Sequence, residues 1–343
     1  MNSLVWNVRG IGNDRTFHIL RSHVVEFRPD IVFLSETLCT HSFLEIVRVK
    51  LGFVGKLVVD KVGRSGGLCL FWVAGVDVDL LEFSRFHIDV LISSHDGLKW
   101  RFTGIYGQPD HSLRKNFWKF FGRLADGYSW PWLCGGDLNE ILFPYEKEGG
   151  LARPQHFMDN FRNALAKTNL VDLGYVGSPF TWFKRNGDQG LIRECLDRML
   201  CNQRWLDLFP SSKVTHLAFW GSDHRPLLTS FHPDSLLSDN LCSKRRFFFE
   251  MAWAKEEGCG EIISQEWGSS EALDMSDIAG RLNKVAGKLS SWNHNVFKRT
   301  KKAIKNKKMM LSSLENFNNE TSWKKYQIVE KELDTLVYKD EKY

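Results

Sequence analysis

The sequence lacks the features that mark secreted, membrane-spanning or zinc-held proteins. Its seven cysteines (Cys39, Cys69, Cys134, Cys195, Cys201, Cys242 and Cys259) are odd in number, and none sits in a CxxC pair or a Cys/His spacing of the zinc type. They are expected as reduced, buried thiols, with no disulfide-linked partner and an intracellular setting. The opening MNSLVWNVRG has neither a charged n-region nor an apolar stretch, so no secretory leader is expected. The longest apolar run, residues 68–76, is far shorter than the roughly 20 residues that a bilayer requires, and no membrane partner is expected. No internal repeat is evident. Charge of one sign is also scarce: the net value is +5 and is unevenly placed. Residues 244–343 hold 19 Lys/Arg against 15 Asp/Glu, whereas residues 1–243 hold 27 against 26. The first part is near neutral and the tail is basic.

What is present is core-forming material. Of 343 residues 43% are hydrophobic, including 13 Trp and 25 Phe, which suits one large domain with an appendage. Short apolar runs predict strands at 4–8, 30–35, 67–73, 76–83, 87–93, 100–106, 132–135, 180–183, 215–218 and 226–231. Many are apolar on both faces, as in central strands of a layered α/β fold covered by helices. A helix follows the first strand: Asn13 or Asp14 caps it, Phe17, Leu20, Val24 and Phe27 form its stripe, and Pro29 stops it. Further helices are expected at 112–125 and 156–168. After Phe231 the pattern changes. We read residues 1–232 as the catalytic domain, 233–246 as a linker and 247–343 as a basic helical extension. In the extension Leu282, Val285, Leu289, Trp292 and Val296 form a heptad-like seam, 298–308 holds seven basic residues in eleven, and 323–337 reads as helix.

Several strands end in a polar or ionisable residue where a turn former would be ordinary. LVWN ends at Asn7, DIVFLSE at Glu36, FTGIY at Tyr106 and WPWLCGGD at Asp137, while Ser222-Asp223-His224 opens the last strand. One such residue is a cap; five together suggest a shared cleft at one edge of the sheets. Carboxylates with an amide and no thiolate form a hard oxygen environment, suited to Mg²⁺, with Mn²⁺ as a possible substitute, rather than to zinc. An Asp-His pair and an Asp-x-Asn add groups that orient water and meet developing negative charge. Metal-assisted hydrolysis of a phosphate ester explains these residues better than glycoside hydrolysis, which uses two carboxylates and neither metal nor His.

The motifs WNVRG, SET, GIYG, GGDLNE, FTW, LDRML and GSDHRPL stand in the order and rough spacing of the endonuclease/exonuclease/phosphatase superfamily, the group of DNase I and the abasic-site endonucleases. With VRGIGNDRT, NEIL...EKEGG and LVDLGYVGSPFTW, the chain more narrowly resembles the endonuclease region of a plant LINE-type (non-LTR) retrotransposon polyprotein, over residues 1–231. The resemblance implies a four-layer α/β/β/α sandwich of two mixed sheets, followed here by the helical extension. It implies an Mg²⁺-dependent DNA endonuclease that leaves a 3′-hydroxyl and works on duplex DNA in the nucleus. Carried over by position, Glu36, Asn7 and Asp223 serve the metal. Asp137 prepares the water, Asn139 and Tyr106 contact the phosphate, and His224 paired with Asp197 donates to a non-bridging oxygen. Thr181, Arg9 and Arg114 are expected at the DNA. The chain departs from the usual pattern at Leu38, Trp220 and Cys195, each beside a motif and not in it.

Two other readings stay open at this level: a phosphatase on an inositol or lipid phosphate, and a catalytically inactive DNA-binding remnant. The basic run 298–308 reads equally as a phosphate contact, as a solvated face or as an import signal. In the resembled elements a reverse transcriptase follows; no polymerase motif occurs in these residues.

Overall fold

The computed structural model describes residues 1–63, 65–94, 97–185, 190–232, 257–267, 275–315 and 320–342. By packing, the chain divides into Met1–Asp239 with Glu315–Trp323, and Asn240–Leu314 with Lys324–Tyr343. The first unit runs β1 (Asn2–Asn7), α1 (Asp14–Phe27), β2 (Ile31–Ser35), α2 (His41–Leu51), β3 (Gly55–Val59), β4 (Leu68–Trp72), β5 (Val76–Ser84), β6 (His87–Ser94), β7 (Lys99–Tyr106) and α3 (Arg114–Phe121). It continues through β8 (Trp132–Asp137), β9 (Lys147–Glu148), α4 (Gln155–Thr168), β10 (Val171–Asp172), β11 (Trp182–Arg185), β12 (Leu191–Glu194), β13 (Asp197–Cys201), α5 (Gln203–Leu208), β14 (Lys213–His216) and β15 (Leu227–Ser230).

Two six-stranded sheets result, ordered β14-β15-β1-β2-β4-β3 and β10-β13-β8-β7-β6-β5, with a small third sheet β11-β12-β9. Each large sheet is mixed, because one pair is parallel: β1 with β2, pairing Asn7 with Ser35, and β7 with β8, pairing Tyr106 with Asp137. Parallel pairs need a crossover, which α1 and α3 supply, and sheets covered on both faces explain the unbroken apolar runs of β1, β2 and β8. Val5, Phe33, Leu70, Val90, Phe102, Leu133 and Met199 pack between the sheets. On the far side of the second sheet, Ile105, Cys134 and Leu200 meet Phe117, Phe121 and Phe161 from α3 and α4. The four-layer sandwich is therefore as expected.

A buried ion pair also lies within the second sheet. Arg101 meets Asp89 through both Nε and Nη2, at 2.9 and 2.7 Å, and Thr103 Oγ1 donates to the same carboxylate while accepting from Trp132 Nε1. His87, one pleat from Asp89, is buried and takes Ser84 Oγ at 2.8 Å on Nδ1. Burial pushes its ring pKa down to about 4, and Asp89 offsets only part of that.

Details differ from the sequence reading. Asn13 does cap α1, accepting from the Thr16 N–H at 2.8 Å, but the buried face is Thr16, Ile19, Leu20 and His23. The helix is rotated because His23 lies edge-on to both Trp6 and Trp220, at 5.9 and 5.7 Å. Helix α3 is shorter than 112–125, and the strand expected at 180–183 is displaced to Trp182–Arg185. Elements α2, α5, β3, β9, β10, β12 and β13 lie outside the expected spans, and the strand expected at 215–218 is displaced to Lys213–His216.

The second unit contains α6 (Glu257–Trp267), α7 (Met275–Ser313) and most of α8 (Glu320–Lys342). Val285 and Leu289 of the expected seam are buried with Cys259, and Trp292 packs beside them. Leu282 is instead 54% exposed, and the Val296 side chain and the proposed linker lie outside the described residues. Among the described residues no helix is long and apolar enough to cross a membrane, and the six described cysteines are free and buried.

Candidate active site

Because β1, β2, β7 and β8 run in registered parallel pairs, their carboxyl ends share one edge, where ligands of such sheets bind. Asn7 ends β1, Glu36 follows β2, Tyr106 ends β7 and Asp137 ends β8. Strand β13 enters antiparallel with Asp197 opposite Asp137, and the segment before β15 delivers Asp223 and His224.

Side chains join these ends into one network. Asn7 Nδ2 donates to Asp137 Oδ2 at 2.9 Å and to Glu36 Oε1 at 3.3 Å, and the Tyr106 hydroxyl donates to Glu36 Oε1 at 2.7 Å. Burial, with Glu36 beside it, keeps Tyr106 a neutral phenol well above its ordinary pKa. His224 Nδ1 lies 2.9 Å from Asp197 Oδ2, and Nε2 lies 3.8 Å from Asp137 Oδ2. Burial opposes a charge on this ring, but the carboxylates of Asp197 and Asp137 outweigh it and raise the pKa to about 10. Asp137 is held above the usual carboxylate range by burial, against the pull of His224 and the donors on its oxygens.

The backbone is bent to make this possible. Among the described residues six non-glycine positions have left-handed φ; Arg28 and Asn169 cap helices, and the other four, Arg9, Glu36, Leu38 and Asn139, flank the site. Asn139, at φ 55°, gives its N–H to Asp137 Oδ1 at 2.9 Å and its Nδ2 to the Gly107 carbonyl at 3.0 Å. Gly136 is required where it stands, since a Cβ there would lie 1.9 Å from the Ile105 carbonyl oxygen.

The profile of the Endonuclease/Exonuclease/phosphatase family matches residues 4–224, the span that carries every one of these groups. The chain belongs to that family. Its members are divalent-metal-dependent phosphoesterases, and the chain is a hydrolase of this kind. Among solved structures the fold is similar to the endonuclease domain of TRAS1, a telomere-specific non-LTR retrotransposon, at 14% identity and TM-score 0.51, covering 68% of this chain and 99% of that one. It is also similar to an AP endonuclease from Archaeoglobus fulgidus, at 15% identity and TM-score 0.54, covering 67% and 99%. A variant of the 3′ phosphatase NExo from Neisseria, bound to a product DNA hairpin, matches at 14% identity and TM-score 0.51, covering 68% and 99%. No curated protein matches the chain by sequence.

Within the family site, two groups of side chains could hold a cation. Asp137, Asp197 and His224 offer ligand atoms within 4.8 Å of one another. However, His224 already gives Nδ1 to Asp197, and a ring kept protonated has no lone pair left for a metal. The second group is Glu36, Asn7 and Asp223, all hard oxygen donors, and it fits a divalent cation. A positive charge already sits among them. Arg9 Nη1 lies 3.7 Å from Glu36 Oε2 and its Nε 3.3 Å from Asp223 Oδ1, while the other Asp223 oxygen accepts from Trp182 Nε1 at 3.0 Å.

Two residues expected at the DNA are placed elsewhere. Thr181 is fully buried, and its Oγ1 accepts the N–H groups of Leu196 and Asp197, both at 2.9 Å, so it positions Asp197. Arg114 is buried on Glu140 at 2.7 Å and on the Gln108 and Pro109 carbonyls, a structural tie beneath the Asn139 loop. Sequence reasoning missed Trp6 and Trp182, and it gave Ser222 no role of its own. Trp6 Nε1 donates to the His224 carbonyl at 3.0 Å, and Ser222 Oγ donates to the Asn7 carbonyl at 2.8 Å. Each stands inside or beside a motif already noted, which was the available signal.

Proposed function

We propose that the chain is a DNA endonuclease that nicks duplex DNA to leave a 3′-hydroxyl, as in target-site cleavage by a LINE-type retroelement of plant kind, and that it acts in the nucleus. The observation that carries this reading is the convergence of Asn7, Glu36, Asp137, Asn139, Asp197 and His224 at one sheet edge, linked by hydrogen bonds across both sheets. Glu36, Asn7 and Asp223 would hold Mg²⁺, or Mn²⁺ in its place. When bound, the ion supplies positive charge that offsets the phosphate and lowers the cost of deprotonating water.

The chain's own groups account for the remaining chemistry. Asp137, with its proton affinity raised by burial, takes a proton from the attacking water, and Asn7 and Asn139 fix its two oxygens. Oxygen from that water bonds to phosphorus, the P–O3′ bond breaks, and the 3′ oxygen takes up a proton from solvent. His224, charged and oriented by Asp197, donates to a non-bridging oxygen as negative charge grows. Tyr106, a neutral phenol, adds a second donor. Arg9, half exposed, meets the backbone of the DNA.

The test is nicking of supercoiled plasmid by the full chain with Mg²⁺ and with Mn²⁺, beside Asp137→Ala and His224→Ala. Relaxed circles with ends extendable by a polymerase are expected from the parent, with losses of about 10²–10⁴ in the variants. No nicking with both metals, from a folded parent, overturns the reading.

A further inference from the structure

Helices α3 and α4 form the outer layer over the second sheet, joined by Trp118 and Phe161 stacked at 4.4 Å. Between them opens a groove of about 660 Å³ with Trp118 and Ala164 in its floor. Lys115, Lys119, Arg123 and Lys167 line it, interspersed with the carboxamides of Asn116, Asn160 and Asn163, and no Asp or Glu contributes. All four cations are exposed. Lys115 and Lys119 stand one turn apart on α3, Arg123 follows in the turn beyond it, and Lys167 reaches over from α4. Gly122 makes that reach possible: a Cβ there would lie 2.9 Å from Lys167 Cδ.

Among the described residues none of the four has an ion-pair partner, although cations on the same helices do: Arg114 meets Glu140, and Arg162 meets Asp159. Four uncompensated like charges are costly to hold close together unless anions come to them. Their layout identifies the anion. Cations converging on a point suit one phosphate, whereas Lys115, Lys119 and Arg123 follow one another along α3 and the turn beyond it, with Lys167 brought beside Gly122. Lys115 and Lys119 are separated by about 6 Å of helical rise, the order of the axial rise of two phosphates on one strand of duplex DNA at roughly 3.4 Å of helix axis each. Flanking carboxamides are the side chains that contact phosphate and sugar without reading sequence. Both helices begin at the edge where β7 and β8 end, so the groove runs from the site-bearing edge along the outer layer.

We propose that this groove is a second nucleic-acid contact, which grips the phosphate backbone of a strand outside the catalytic cleft. The choice of ligand rests on the nucleic-acid reading of the neighbouring site, while the binding needs no hydrolysis. The test compares the full chain with a Lys115→Gln/Lys119→Gln/Arg123→Gln variant and a charge-matched Lys50→Gln/Lys99→Gln/Lys213→Gln control. Fluorescence anisotropy with labelled duplex DNA and labelled single-stranded RNA is measured across a salt series in EDTA. The groove variant is expected to bind at least one probe with a shallower slope of log K against log salt, the control keeping the parent's slope. Each phosphate left without its cation lowers that slope by roughly 0.9 on duplex or 0.7 on a single strand. The probe affected identifies the strand held. Parent slope and affinity on both probes overturn the proposal, as does an equal loss in the control. Should the triple variant melt early, Lys119→Gln alone decides, with a slope change of roughly 0.7–0.9 for its single phosphate. Since no metal is present, absence of nicking leaves this measurement untouched, and a parent that nicks while the groove variant binds normally overturns the groove alone.

Discussion

Asn7 Nδ2 lies 2.9 Å from Asp137 Oδ2, a hydrogen bond that ties the end of β1 in one sheet to the end of β8 in the other. The same nitrogen reaches Glu36 Oε1, so one carboxamide sets the spacing of the two carboxylates on which the chemistry depends. Asn7→Ala is expected to lower the nicking rate at saturating Mg²⁺ by about 10²-fold, comparable to the loss of a preorganised donor. Asn7→Asp places a third negative charge there and should lower the melting temperature in EDTA, with recovery on adding Mg²⁺. An unchanged rate for Asn7→Ala would show that Asp137 is positioned by other groups.

Asp197→Asn keeps the shape of the His224 partner but removes its charge, so the ring loses both its orientation and most of its raised pKa. Nicking should fall by roughly 10²–10⁴, and the melting temperature at neutral pH should fall too, less so at high pH, where the ring is neutral in both proteins. Thr181→Val strands two buried N–H groups, at about 1–3 kcal/mol each, and should reduce both the rate and the melting temperature. Steady-state kinetics beside thermal melts separate the two variants. A melting shift of Asp197→Asn that does not change with pH would contradict these roles.

Arg9 compensates Glu36 and Asp223 in the metal-free protein, so a cation entering between them must displace it. Arg9→Gln should therefore tighten Mn²⁺ binding several-fold, measured by calorimetry or by the spin resonance of the ion. Weaker or unchanged binding would place the cation elsewhere.

His87 carries the acid-side prediction. Its folded pKa, about 4, lies below the ordinary value of 6.5, so the unfolded chain binds the proton first as pH falls. Stability is fully present above 6.5, declines between 6.5 and about 4, and falls by about 3 kcal/mol over that window, since each pKa unit is 1.36 kcal/mol. His87→Gln should flatten this part of the curve in urea titrations across pH, and an unchanged slope would assign it to other groups.

The strand-end residues were legible because several apolar runs have a polar or ionisable residue at one end; one alone is an ordinary cap or turn, and five together mark a shared edge. The layering was legible for a related reason: β1, β2 and β8 are apolar without alternation, and only sheets covered on both faces allow that. The rest depends on long-range partners. Arg114 reads as a surface cation until Glu140 is found across from it, and Thr181 as a strand residue until the Asp197 N–H is placed on its oxygen. The face of α1 was misjudged because His23 is counted as polar, whereas two tryptophans enclose it. Left-handed φ at Glu36 has no local signature, since it is neither glycine nor a residue that favours that region, as Asn139 does.

Strand β1 lies between β2, its near neighbour in sequence, and β15, which pairs Asn2 with Ser230. On a ribosome the first partner emerges early and the second only after some two hundred further residues, so the central strand stays open on one side until residues 227–230 have been made. Ser222 and His224, which bond to the Asn7 carbonyl and Asp197, arrive with that last strand. Assembly of the candidate site is thus withheld until the domain has closed, and a nascent chain stalled earlier would expose an unpaired strand edge instead of a completed cleft.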